Sequence, residues 1–120
     1  MSVFVFGSNL AGKHGLGAAL HAQQYYGAEI GVGEGPTGQS YALPTKDKKL
    51  SPRPLSQIAR SVSRFLAYAA AHSDVEFKVT RIGCGLAGYD DEQIAPFFLD
   101  APPNCTFDPL WEKFGFKVWR

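Results

Sequence analysis

The sequence is poor in features that would fix a function at once. Its two cysteines, Cys84 and Cys105, form no CxxC pair and have no histidine spacing that completes a tetrahedral set, which argues against a disulfide scaffold and a structural metal. No metal or other cofactor is expected. Neither sign of charge is in excess. Twelve Lys+Arg against eleven Asp+Glu leave a formal net charge of +1, too little for the basic field that bulk nucleic-acid binding needs. No apolar run approaches the length of a membrane span, and no basic segment followed by a long apolar core opens the chain, so the sequence reads as a soluble cytoplasmic protein. At 120 residues there is room for one core, and a single domain over 1–120 is expected.

Glycine, by contrast, is plentiful and sits in loops. "VFVFGSNLAGKHGLGAA", residues 3–19, matches most of a P-loop through Gly7 and Gly12-Lys13, yet His14 stands where that motif needs the Mg²⁺-binding hydroxyl. A triphosphate site is therefore not expected. Two readings remain for "GKHGLG": a tight turn that needs glycine for positive φ, or a loop whose amides and following helix N-terminus hold a ribose or phosphate.

The elements alternate. "SVFVF", 2–6, reads as a buried strand, and "GAALHAQQYY", 17–26, as a helix with Leu16, Leu20 and Ala19 or Gln23 on one face, stopped by Gly27. "AEIGV", 28–32, reads as a weak strand, "GEGPTGQ", 33–39, as an exposed loop, and "SYALPT", 40–45, as a strand ended by Pro44. From Pro54 onward, Leu55, Ile58, Val62, Phe65, Leu66 and Ala69 recur at helical spacing opposite Gln57, Arg60 and Arg64. "VEFKVTRI", 75–82, alternates as a strand and runs into "GCGLAGYDDEQIAPFF", a second glycine loop with a helix opening on Asp90, Asp91 and Glu92. "CTFD" reads as a last strand, and the tail carrying Trp111, Phe114, Phe116 and Trp119 either closes the core or makes a homodimer contact. Strands alternating with helices predict a three-layer α/β/α domain whose ligand crevice lies outside the strands' carboxyl ends, where both glycine loops converge.

Four small residues in seven positions of "GCGLAGY" exceed what a turn requires and suit an anion cradle of consecutive amides, with Tyr89 available to pack on a sugar or base. Cys84 has no histidine partner in the sequence and reads better as a small packed residue of the loop than as a nucleophile. Lys46, just past a strand end, can neutralise a phosphate or attack a sugar carbon. His14 can reach a ligand, whereas His21 and His72 read as helix-surface residues. "GVGEGPTG" leads into no helix and does not meet the dinucleotide fingerprint.

With these loops in view, the chain resembles the macrodomain superfamily, whose members bind ADP-ribose and related NAD-derived groups. "NLAGKHGLGAA" is similar to its first ligand loop and "GCGLAGY" to its diphosphate loop. "RIGCGL" resembles most the branch containing terminal ADP-ribose protein glycohydrolase and the antitoxin that removes ADP-ribose from DNA, over roughly residues 3–98. Short relatives of this kind resemble phage or prophage accessory proteins. The resemblance implies a three-layer fold with a mixed sheet, and a catalytic lysine and aspartate. Lys46 in "YALPTK" falls at the lysine position, but the aspartate position is Ala87, which puts hydrolysis in doubt. The upstream segment that supplies an adenine-binding aspartate in many macrodomains has no counterpart before the first strand.

The expected site is a cleft formed by residues 8–17, 33–46 and 83–89. The glycines that matter in its first loop are Gly12, Gly15 and Gly17. Gly83, Gly85, Leu86, Ala87 and Gly88 would donate amides to phosphate with Cys84 among them, Tyr89 would pack on sugar, Asn9 would bond a ribose hydroxyl, and Lys46 would carry any chemistry. Three functions stay open: an ADP-ribosyl hydrolase, a noncatalytic binder that senses or sequesters an NAD-derived nucleotide, and a structural or protein-interaction domain.

Overall fold

A computed structural model describes residues 2–119. Along the chain run strand β1 (Ser2–Asn9), helix α1 (Gly17–Tyr25), strands β2 (Gly35–Thr37) and β3 (Ser40–Lys46), helix α2 (Leu55–Ala71), strand β4 (Glu76–Val79), the short helix α3 (Asp91–Ile94) with a 3₁₀ turn over Ala95–Phe98, and strand β5 (Cys105–Phe107). A second 3₁₀ segment, Pro109–Phe114, follows. The sheet order is β2-β3-β1-β4-β5, with only the β2–β3 pair antiparallel.

Alternating side chains divide β1 between two cores. Val5 joins Tyr41, Leu43, Phe77, Val79 and Phe107 on the face covered by α2, where Ile58, Val62, Phe65 and Ala69 form the buried stripe expected from their spacing. Phe6 and Ala42 face the other way, against Ala19 and Ala22 of α1. This is the three-layer α/β/α arrangement with a mixed sheet. α1 approaches the sheet through alanines, so the inward face expected to include Leu16 is narrower than its pattern suggests; Leu16 is left 66% exposed at the helix start.

The 28–32 segment is not a strand. Gly27 and Gly31 take left-handed backbone, and the amides of Ala28 and Gly31 are given to Ala22 and Gly12. The edge strand comes from within the segment expected to be a loop, Gly35–Thr37. Pro44 does not end β3 either. β2 pairs only with residues 40–42, so beyond Ala42 that side of β3 has no strand partner and a residue without an N–H is accommodated. The aromatic tail closes the core: Trp111 is fully buried among Phe98, Phe107 and Phe116, and Val118 bridges to Phe107.

β1 is the central strand, and the chain turns to one side of it for β3 and to the other for β4. That reversal opens a crevice at the carboxyl ends of β1, β3 and β4.

Candidate functional site

A cavity of about 410 Å³ fills the crevice, within the range of small-molecule sites. Its floor is Gly7 and Ser8 of β1 and Thr45 of β3. One wall is the first loop and the start of α1, and the other is Thr80, Arg81 and the second glycine loop.

Of the residues expected in the site, Asn9, Gly15, Lys46, Gly83, Cys84, Gly85, Leu86 and Ala87 line the cavity together. Gly12, His14, Gly17, Gly88 and Tyr89 do not. Gly12, at φ +70°, lies so close to Gly31 that a Cβ would fall 2.4 Å from the Gly31 carbonyl carbon, so its role here is to let the first loop pack. Gly17, also left-handed at φ +61°, opens α1. His14 is turned inward and buried, its ring edge-on to Phe6 at 5.5 Å, with neither ring nitrogen partnered among the described residues. Gly88 ends the second loop, donating its amide to Gly85. Tyr89 leans on the main core, and its hydroxyl donates to the Arg53 carbonyl at 2.5 Å, tying the loop to the segment before α2.

Asn9 braces the first loop. Its side-chain amide donates to the Lys13 carbonyl at 2.8 Å and its Oδ1 accepts from the Lys13 amide at 3.0 Å. The β1–β3 register shifts at Ser8/Asn9 and sets Asn9 opposite Lys46, whose carbonyl accepts from the Leu10 amide. Lys13 and Lys46 are thereby anchored by their backbones at the same strand ends. Among the described residues, neither side chain makes an ion pair.

Both walls present backbone donors. Among the described residues, the amides of Gly83, Gly85, Leu86 and Ala87 have no protein acceptor, and neither do those of Gly15 and Leu16 or of Gly17, Ala18 and Ala19 in the uncapped first turn of α1. All of these residues but Gly17 line the cavity, so two rows of unpaired donors and the start of α1 border one space, an anion-binding arrangement.

No carboxylate is among the described residues lining the cavity. The nearby acids are committed elsewhere. Asp90 stands at the N-cap of α3, its amide donating to Gln93 Oε1. Asp91 accepts from Arg81 Nε at 2.8 Å, from Arg81 Nη2 at 2.7 Å and from Trp111 Nε1 at 2.7 Å. The Arg81 hydrogen bonds, helped by Trp111, hold the Asp91 carboxyl well below the ordinary carboxylate range despite its partial burial. A depressed carboxyl stabilises the fold above the unfolded-state pKa, near 3.9, and that contribution is lost as pH falls from there toward the lower folded-state value. Asp91→Asn is therefore expected to cost about 2 kcal/mol at pH 7. Urea titrations at a series of pH values should show the gap from wild type shrinking below about pH 4.

Burial, followed by the neighbouring Asp91 carboxylate, pushes the Cys84 thiol up to about 12. A cysteine held as thiol at neutral pH is a wall residue rather than a nucleophile. Alkylation of Cys84 by iodoacetamide at pH 8 is expected to run at least about 30-fold slower than that of an unperturbed thiol, read by mass spectrometry.

Leu50, Thr80 and Arg81 line the cavity from outside the expected ranges, while Lys13 and Thr45 lie inside them without having been given a role. Lys13 had a visible signal, its place in the first glycine loop. Arg81 precedes the second loop directly. Leu50 had none, since a leucine closing a charged turn looks like any surface residue.

No family model matches the sequence, and no curated protein matches it. Solved structures do match in fold. The macrodomain of Mycobacterium tuberculosis DarG aligns with TM-score 0.63 at 17% identity over 97% of this chain and 84% of that one. Two structures from Bacteroides thetaiotaomicron align at 19% and 18% identity with TM-scores of 0.58 and 0.60, covering 83% and 82% of this chain and 80% of each of theirs; one is of a protein of unknown function. The fold is macrodomain-like. No helix among the described residues is long and apolar enough to cross a membrane.

Proposed function

We propose that this protein binds ADP-ribose or a closely related NAD-derived nucleotide in the cavity between its two glycine loops, without a resident metal. The observation that carries this reading is the pairing of two rows of unpaired amides with two lysines around one cavity whose described lining holds no carboxylate. That surface complements a diphosphate flanked by sugars. The macrodomain-like fold and the likeness of "GCGLAGY" to a diphosphate loop support it.

The same lining favours binding over hydrolysis. The resemblance pairs a lysine with a carboxylate. Here Ala87 supplies none, and Asp91 is held by Arg81 and Trp111. Lys46 alone would have to carry any hydrolase activity.

Calorimetry with ADP-ribose, NAD and cyclic ADP-ribose isomers tests the reading. Saturable binding of at least one is expected, and the absence of heat at millimolar ligand would leave the glycine loops as structural turns of an interaction domain. Incubation with ADP-ribosylated protein and DNA tests the finer point. No release of ADP-ribose is expected; release abolished by Lys46→Ala would make the protein a hydrolase.

A further inference from the structure

Arg53 is buried, 8% exposed, and among the described residues it pairs with no carboxylate. Its guanidinium spends one nitrogen on two acceptors. Nη1 donates to the Pro44 carbonyl at 2.7 Å and to Ser61 Oγ at 2.9 Å, while Nε is buried without a partner among the described residues. Burial lowers its pKa from the ordinary guanidinium value and the Glu34 carboxylate partly restores it, but Glu34 itself is clamped by Arg64. A buried cation without a counter-ion costs stability, and a neutral donor could satisfy the same carbonyl. Such breaches of a local rule collect where a position matters to function.

The position concerned is the end of β3. Beyond Ala42 the outer side of that strand has no partner from β2, and the chain supplies one itself. After Lys46 it turns around Asp47, whose side chain accepts from the amides of Lys49 at 2.8 Å and Ser51 at 3.0 Å, and it returns antiparallel. The Asp47 amide donates to the Ser51 carbonyl, the Arg53 amide donates to the Thr45 carbonyl at 2.9 Å, and between them Lys46 pairs with Pro52. Leu50 takes left-handed backbone inside this turn, φ +65°, so the turn by itself is a strained support for the returning arm. The Arg53 side chain pins that arm both to the strand end, through Pro44, and to α2, through Ser61.

The same residue reaches the opposite wall. Its carbonyl accepts from the Tyr89 hydroxyl at 2.5 Å, and the Tyr89 amide donates to the Gly83 carbonyl at 2.9 Å. Arg53 does not line the cavity, yet it stands between the strand end that carries Lys46 and the loop that carries the free amides of Gly85, Leu86 and Ala87. Resting on the ligand class proposed above, we infer that Arg53 is a positioning residue, one that touches no ligand but sets Lys46 relative to the second glycine loop so that one anionic ligand meets both.

The test is calorimetry with ADP-ribose on the whole chain for wild type, Arg53→Gln, Lys46→Ala and the two substitutions combined, with thermal melts to show that each is folded. Arg53→Gln is expected to weaken binding about 5-fold when Lys46 is present and less than about 2-fold in the Lys46→Ala background, because the group it places is then already gone. A merely structural role would weaken binding equally in both backgrounds. Arg53→Lys should recover affinity to within about 2-fold of wild type, since both bonds leave one nitrogen and need no guanidinium fork. Tyr89→Phe keeps the ring and removes the tie to Arg53, so it should weaken binding about 3-fold, again only with Lys46 in place. It gives the same readout if Arg53→Gln does not fold. Unchanged affinity in Arg53→Gln or Tyr89→Phe, no recovery in Arg53→Lys, or losses as large without Lys46 as with it overturns the inference while leaving the ligand class standing. No binding of ADP-ribose to wild type overturns both.

Discussion

Replacing Trp111 with alanine is expected to remove about 4 kcal/mol of stability, a large share of what a domain of this size has. The indole is fully buried, stacked near Phe107 at 5.9 Å and tilted against Phe98 at 5.6 Å and Phe116 at 5.8 Å. Its removal leaves a cavity that these rings cannot fill without leaving their own contacts. It also strips Asp91 of the Trp111 Nε1 donor at 2.7 Å, loosening the carboxylate that holds Arg81 beside the second glycine loop. Trp111→Phe keeps most of the volume and loses that hydrogen bond, so about 2 kcal/mol is expected. Urea unfolding of the two variants separates packing from the hydrogen bond. The tail thus belongs to the machinery that positions the site, although none of it lines the cavity.

The largest effect on binding is expected from Lys13→Ala combined with Lys46→Ala. Lys46 is half-buried at the end of β3, where a charge-assisted contact to phosphate is little screened; its loss is expected to weaken ADP-ribose about 20-fold. Lys13 is exposed, so solvent and salt screen it and about 3-fold is expected. The double variant should weaken binding about 60-fold, with a flatter salt dependence than wild type. Tm should stay within a few degrees, because neither ammonium group is ion-paired among the described residues. Equal affinity in wild type and double variant would place the ligand outside this cavity.

Much of the layout was legible because it is written locally. The β-branched and aromatic run of β1, the apolar stripe of α2 and the breaks at both glycine loops are short-range signals, and the alternation of strands and helices placed both loops at one end of the sheet. What was not legible depends on partners far along the chain. Tyr89 looks like a residue free to pack on a sugar until its hydroxyl meets Arg53, 36 positions earlier. Asp91 reads only as an acid in the first turn of a helix until Arg81 and Trp111 claim it. His14 sits in a loop of glycines, yet the loop folds it inward onto Phe6. β2 was hidden because Gly35, Pro36 and Thr37 read as part of an exposed loop, and only pairing with β3 makes them a strand. Leu50 was invisible for the same reason: the Asp47 turn, not the leucine, decides where it points.

The most direct test of the account is an amide chemical-shift titration of the whole protein with ADP-ribose. The largest perturbations are predicted at the amides of Gly85, Leu86 and Ala87 and of Gly15, Leu16, Ala18 and Ala19, the two rows of unpaired donors on residues that line the cavity. Absence of perturbation at millimolar ligand, or perturbations confined to residues away from these two rows, would contradict it.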